Sequence, residues 1–138
     1  MEAQAAQDAQ QLKLLSIFHY IVAGMMALFG SFPLFHLLMG VAMVAGKFGP
    51  PKASDPSEAL VGWFFIIFAG VWIALVWTLA VCTVIAGRSL AKRQRHVFCV
   101  VVAGLMAATC MPFGTVLGVF TIIVLMRPSV KEAFGVPQ

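Results

Sequence analysis

Four stretches of this chain, Leu14–Ala45, Ala59–Ala86, Val97–Met111 and Phe113–Met126, contain no Asp, Glu, Lys or Arg. A water-soluble fold of this size needs a charged shell. With 62% hydrophobic and only 10% charged residues, the chain has too little polar surface to make one. In lipid every backbone polar group must be satisfied internally, which leaves helices or closed barrels, and long continuous apolar runs predict helices. The expected fold is therefore all-α: a four-helix integral membrane protein with two long N-terminal helices and a short C-terminal helical hairpin. At 138 residues there is room for one domain. It is expected over 13–127, between cytoplasmic tails at 1–12 and 128–138.

The first ten residues, MEAQAAQDAQ, carry two acids and no basic run, so no cleavable signal peptide is expected and Leu14 opens an uncleaved first span. The Ala/Gln-rich stretch before it either extends the first helix or frays. Segment one runs about 30 residues, roughly 45 Å at helical rise, against a hydrocarbon core of ~30 Å. Pro33 lacks the N–H that would reach the Phe29 carbonyl, so a kink is expected at Gly30–Pro33. Ser57 is placed to cap segment two, with Glu58 in its first turn. Segments three and four are only about 15 residues each, roughly 22 Å, and turn at Met111–Gly114. Two long helices and a short hairpin cannot match one slab, so the long ones either tilt or project beyond it. Thr109 and Thr115 are placed to bond backbone groups freed by Pro112.

Of the nine Lys and Arg residues, seven (Lys13, Arg88, Lys92, Arg93, Arg95, Arg127 and Lys131) fall on one side if every segment crosses. Lys47 and Lys52 fall on the other, offset by Asp55 and Glu58. That bias predicts both termini in the cytoplasm and a multi-pass protein of the cell inner membrane. The net charge of +4 lies next to apolar segments, facing anionic headgroups, so nucleic acid is not an expected partner.

Small residues recur at four-residue spacing, among them Ala23/Ala27, Gly70/Ala74, Ala103/Ala107, Gly104/Ala108 and Gly114/Gly118. Such pairs let helix backbones approach closely, which drives association where lipid supplies no hydrophobic force. Ala103, Gly104, Ala107, Ala108, Gly114 and Gly118 are the expected helix-packing residues, serving either folding or self-association. Trp72 and Trp77 lie too deep in segment two for an interfacial belt and call for buried partners.

Two sets of side chains are candidate metal ligands. His19, Cys82, His96 and Cys99 lie near the cytoplasmic ends of their segments and have the donor types of a tetrahedral zinc site. His36, Met39 and Met43 form a stripe past Pro33, with Cys110 and Met111 at similar height, a soft set suited to Cu(I). Against both stands ordinary packing: buried Cys acts as a small hydrophobe and Met fills irregular contacts. No carboxylate lies within the apolar segments, and no Ser–His–Asp arrangement, HExxH or glycine-rich phosphate loop occurs. An enzyme is not expected, nor is a cofactor.

The run GRSLAKRQRHVFCVVVAGLMAATCMPFGTVLGVFTIIVLMRPSVK resembles the ending of small bacterial four-helix membrane proteins with no settled activity. The matching positions are Gly87, Arg88, Leu90, Ala91 and Arg93 of a GRxLAxR loop, then Phe98-Cys99, then the hairpin arm Met111 to Lys131. LSIFHYIVAGMMALFGSFPLFHL fits the same pattern. The resemblance implies a bacterial origin and this topology, and no mechanism.

The expected function is that of a non-catalytic scaffold or accessory subunit, working through helix packing in the bilayer with itself or a larger membrane complex. The alternative is a metal- or lipophile-binding protein using the His, Met and Cys side chains.

Overall fold

The computed structural model describes residues 2–47, 56–109 and 111–136. Among them are six helices and no strand: α1 (Glu2–Gly30), α2 (Leu34–Val44), α3 (Pro56–Lys92), α4 (His96–Thr109), α5 (Phe113–Leu125) and α6 (Pro128–Ala133). Two stretches, Ala3–Val44 and Pro56–Lys92, are long and apolar enough to cross a membrane. The count differs from four because segment one is divided in two and the chain beyond Arg127 adds a helix.

Pro33 accounts for the division. The Phe29 carbonyl, which Pro33 cannot serve, accepts from the Phe32 N–H instead (3.1 Å), and Ser31 N–H turns back to Leu28 (3.2 Å). The Ser31 hydroxyl donates to the Ala27 carbonyl at 2.7 Å, satisfying one more group at the broken end. The Gly30–Pro33 site is thus a full interruption between α1 and α2.

α2 ends in a Schellman motif. Gly46 sits at φ 67° and donates to Met43 (3.0 Å), while Lys47 donates to Ala42 (3.0 Å). α6 closes in the same way on Gly135, also at φ 67°. α3 uses an arginine in that place: Arg93 has φ 53°, with Gln94 N–H on Ser89 (2.9 Å) and Arg93 N–H on Leu90 (3.2 Å). The basic stretch expected as a loop from Gly87 to His96 is therefore mostly helix. Its Leu, Ala, Lys and Arg residues are good helix formers, and only Arg93–Arg95 link α3 to α4. At the other end of α3, Pro56 is the first helical residue, so Ser57 lies within the first turn rather than capping it.

The chain forms two compact units. The unit made of residues 25–79 contains the end of α1, α2 and most of α3. Its tightest seam joins Gly40 and Gly62: a Cβ at Gly40 would stand 2.8 Å from the Gly62 carbonyl, and one at Gly62 would stand 2.9 Å from the Gly40 carbonyl. Gly30 has the Val76 side chain in the place a Cβ would take, and Ala69 is fully buried. Trp72 and Trp77 are half exposed, so their rings lie on outward faces rather than among buried partners. Phe64, Phe68 and Trp72 stack along one outward stripe of α3.

The second unit, residues 1–24 and 80–138, has its core in Leu12, Leu15, Leu90, Cys99, Val124, Leu125 and Val130, with an adjoining cluster of Ala86, Val102 and Met106. The Ala/Gln-rich start is part of α1, and Asp8 and Leu12 within or next to it are buried. The stretch expected as a C-terminal tail includes α6, which has Pro128 at its start and places Val130 wholly inside the core. α4 and α5, at 14 and 13 residues, span about 21 and 20 Å, short of a ~30 Å hydrocarbon core.

Candidate functional site

The α4–α5 hairpin is where the small residues act. Gly118 faces the backbone of α4: a Cβ there would collide with the Ala103 carbonyl and stand 2.9 Å from the Ala107 Cβ. Ala103 is fully buried, Ala107 half-buried and Gly114 buried. The Thr115 hydroxyl reaches across the turn to the Ala107 carbonyl (2.9 Å), one of the last carbonyls of α4 that its own helix leaves free. Thr109 bonds the Leu105 carbonyl within its own helix. Neither threonine serves the Ala108 carbonyl, the one Pro112 deprives. Gly104 and Ala108 lie elsewhere on α4: among the described residues nothing stands within 4 Å of a Cβ at Gly104, and Ala108 is exposed.

A second seam, between α1 and the end of α3, lay hidden in the stretch read as a loop. Ser16 donates to the Gly87 carbonyl at 2.7 Å, and a Cβ on Gly87 would stand 3.1 Å from the His19 Cβ. A glycine facing a serine and a histidine 70 residues away leaves no periodic signal, so sequence reasoning passed over it.

In the first candidate set, three of the four side chains meet backbone carbonyls. His19 is fully buried and donates through Nδ1 to the Leu15 carbonyl at 2.9 Å. Its Nε2 is buried with no hydrogen-bond partner among the described residues. His96 Nε2 meets the Leu125 carbonyl at 2.8 Å, and its ring packs edge-on against Phe134. Cys99 is buried with its thiol toward the Ala86 and Gln94 carbonyls, at 3.8 and 3.9 Å. Cys82 is half-buried against the Ala86–Val102–Met106 cluster.

In the other set, His36 stacks on Phe65 and meets Phe32 and Phe35, with Nδ1 buried and without a hydrogen-bond partner among the described residues. Met39 is exposed, Met43 half-buried and Met111 strongly exposed, while Cys110 lies outside the described residues. Among the described residues no three His, Cys, Asp or Glu side chains converge as a metal site.

One polar cluster was not foreseen. Arg127, just past α5, donates to Gln11 Oε1 at 2.9 Å and pairs with Asp8 at 3.7 Å. Asp8 is buried, and its second oxygen has no hydrogen-bond partner among the described residues. Asp8 and Arg127 are 119 positions apart in the chain, so no local spacing points to the pair.

These features define an all-helical protein with two long apolar helices and a tightly packed helical hairpin. Compared with known protein families, curated proteins and solved structures, the chain matches none, so the resemblance in its C-terminal third assigns no family.

Proposed function

We propose that the chain is a multi-pass inner-membrane protein that acts as a non-catalytic scaffold or accessory subunit, through helix packing with itself or a larger membrane complex. The observation that carries this reading is how little of the long helices the chain covers. Within the most apolar windows of Ala3–Val44 and Pro56–Lys92, only 11% of each is buried inside the molecule. Leu28, Leu38, Leu60, Phe64, Ile67 and Leu75 are each more than half exposed. Surfaces of this kind mark contact with lipid or with other helices.

The charge distribution supports an N-in, C-in orientation. The bond from Arg127 to Gln11 supports the two ends lying on one side, because it puts the start of α1 beside the end of α5. The absence of charge within the apolar segments supports a role without catalysis.

The test is the native mass of the gently solubilised protein, with elemental analysis of the same sample. A homo-oligomer or a stable complex with another membrane protein supports the reading. A lone monomer carrying near-stoichiometric copper or zinc, lost on replacing His36, Met39 and Met43 or His19, Cys82, His96 and Cys99, would replace it with the metal-binding alternative.

A further inference from the structure

An apolar groove of about 640 Å³ runs between α1 and α5, within the ~300–1,000 Å³ of small-molecule sites. Phe18 and Val22 line one wall, Phe113, Val116 and Phe120 the other, and Gln11 closes one end. Because Arg127 beyond α5 bonds Gln11, the two helices run antiparallel here, and Val22 lies toward the Phe113 end. From Gln11 to Val22 is eleven residues, about 16 Å of helix. That is close to half of a ~30 Å hydrocarbon core, the depth of one leaflet.

The polar end is basic. Arg127 stands there, only partly offset by Asp8 at 3.7 Å. Exposed Lys13 lines an adjoining depression that shares Gln11 with the groove. The walls argue against a helix as occupant: close helix approach favours small residues, and here Gly118 of α5 is turned to α4 and Gly114 is buried. Aromatic walls and a single-leaflet depth suit a flexible hydrocarbon chain.

The geometry points to a binding site for one anionic phospholipid, its acyl chain in the α1–α5 groove and its phosphate at Lys13 and Arg127. This rests on the membrane reading above. Arg127 is held by Gln11 and Asp8, which fixes its charge at the mouth, while exposed Lys13, on the adjoining depression, adds the second positive charge that selects an anionic headgroup.

The experiment uses the full chain reconstituted in nanodiscs of equal parts phosphatidylglycerol and phosphatidylcholine, released into detergent and weighed by native mass spectrometry. The expected result is one retained phospholipid per chain, enriched in phosphatidylglycerol. Lys13→Gln should lower that enrichment roughly fivefold, the share of one basic residue near an anionic surface. Val116→Trp, at an exposed groove position, should displace the lipid while the helical circular dichroism is unchanged.

Equal retention of the two lipids by the native chain overturns the proposal, as does undiminished retention by Val116→Trp. A dimer that Val116→Trp dissociates would assign the groove to a second copy of the chain. Release of the protein from vesicles by alkaline carbonate would overturn the membrane reading and the lipid site together. Retention in vesicles without phosphatidylglycerol enrichment would overturn the lipid site alone.

Discussion

Gly118 of α5 lies directly on the carbonyl of Ala103 in α4, with no room between them for a side chain. Overpacking a tight contact costs about 1–3 kcal/mol, so Gly118→Ala should lower stability by that amount and Gly118→Leu should prevent the hairpin from closing. Gly104, two turns from the α4 start and with none of the described residues within 4 Å of a Cβ there, gives the contrast. Gly104→Ala removes a flexible residue from a helix and should leave stability unchanged or raise it by up to about 1 kcal/mol. Denaturant unfolding of both variants in mixed micelles, followed by circular dichroism, measures the difference.

The pairing of Asp8 with Arg127 fastens the start of α1 to the end of α5. Asp8 is buried, so removing its partner leaves a carboxylate with little water. Arg127→Ala should cost about 1–3 kcal/mol, the penalty of an unsatisfied buried polar group. Adding Asp8→Ala should recover part of that loss. Equal stability of Arg127→Ala and the native chain would show that the pair contributes nothing, as exposed pairs often do.

The orientation is open to labelling in intact cells, in a background with Cys82, Cys99 and Cys110 replaced. A cysteine at Ser54 should react with an impermeant maleimide added outside, and one at Lys92 should react only after the cells are opened. Ser89 is unsuitable for the second probe because it is buried, whereas Lys92 is exposed at the end of α3. The reverse pattern would invert the topology.

Val130 is the residue through which α6 joins the core, packed with Leu12, Leu15 and Leu125. Val130→Asp buries an unpaired charge and should destabilise the unit of residues 1–24 and 80–138 by several kcal/mol, while Ser129→Asp, on an exposed position, should not. Thermal unfolding of the two variants separates them.

The helices were legible in the sequence because their signal is local. Charge-free runs give α4 and α5 to within two residues of their ends, and Pro33 gives the break before α2. What was not legible depends on which face a residue presents. Gly104 and Gly118 have the same spacing pattern, yet only Gly118 meets a neighbouring backbone. Gly87 looked like part of a basic loop because its helix is held by Ser16 and His19, 71 and 68 positions earlier. α6 is too short and polar to carry a periodic signal, and its place is fixed by Val130 alone among its buried residues. The histidines and cysteines read as candidate ligands because sequence cannot show that backbone carbonyls stand beside His19, His96 and Cys99.

On the proposed function, the apolar faces this chain leaves uncovered lie in a bilayer or against other helices there. Leu75, in the middle of α3 and 65% exposed within the chain, tests it most directly. In the cysteine-free background, native membranes opened on both sides are treated with a water-soluble maleimide. A cysteine at Leu75 should stay unlabelled until the protein is unfolded in detergent, while one at Lys92 reacts at once. Labelling of the Leu75 position at the same rate as Lys92 in the native protein would put that face in water and contradict the account.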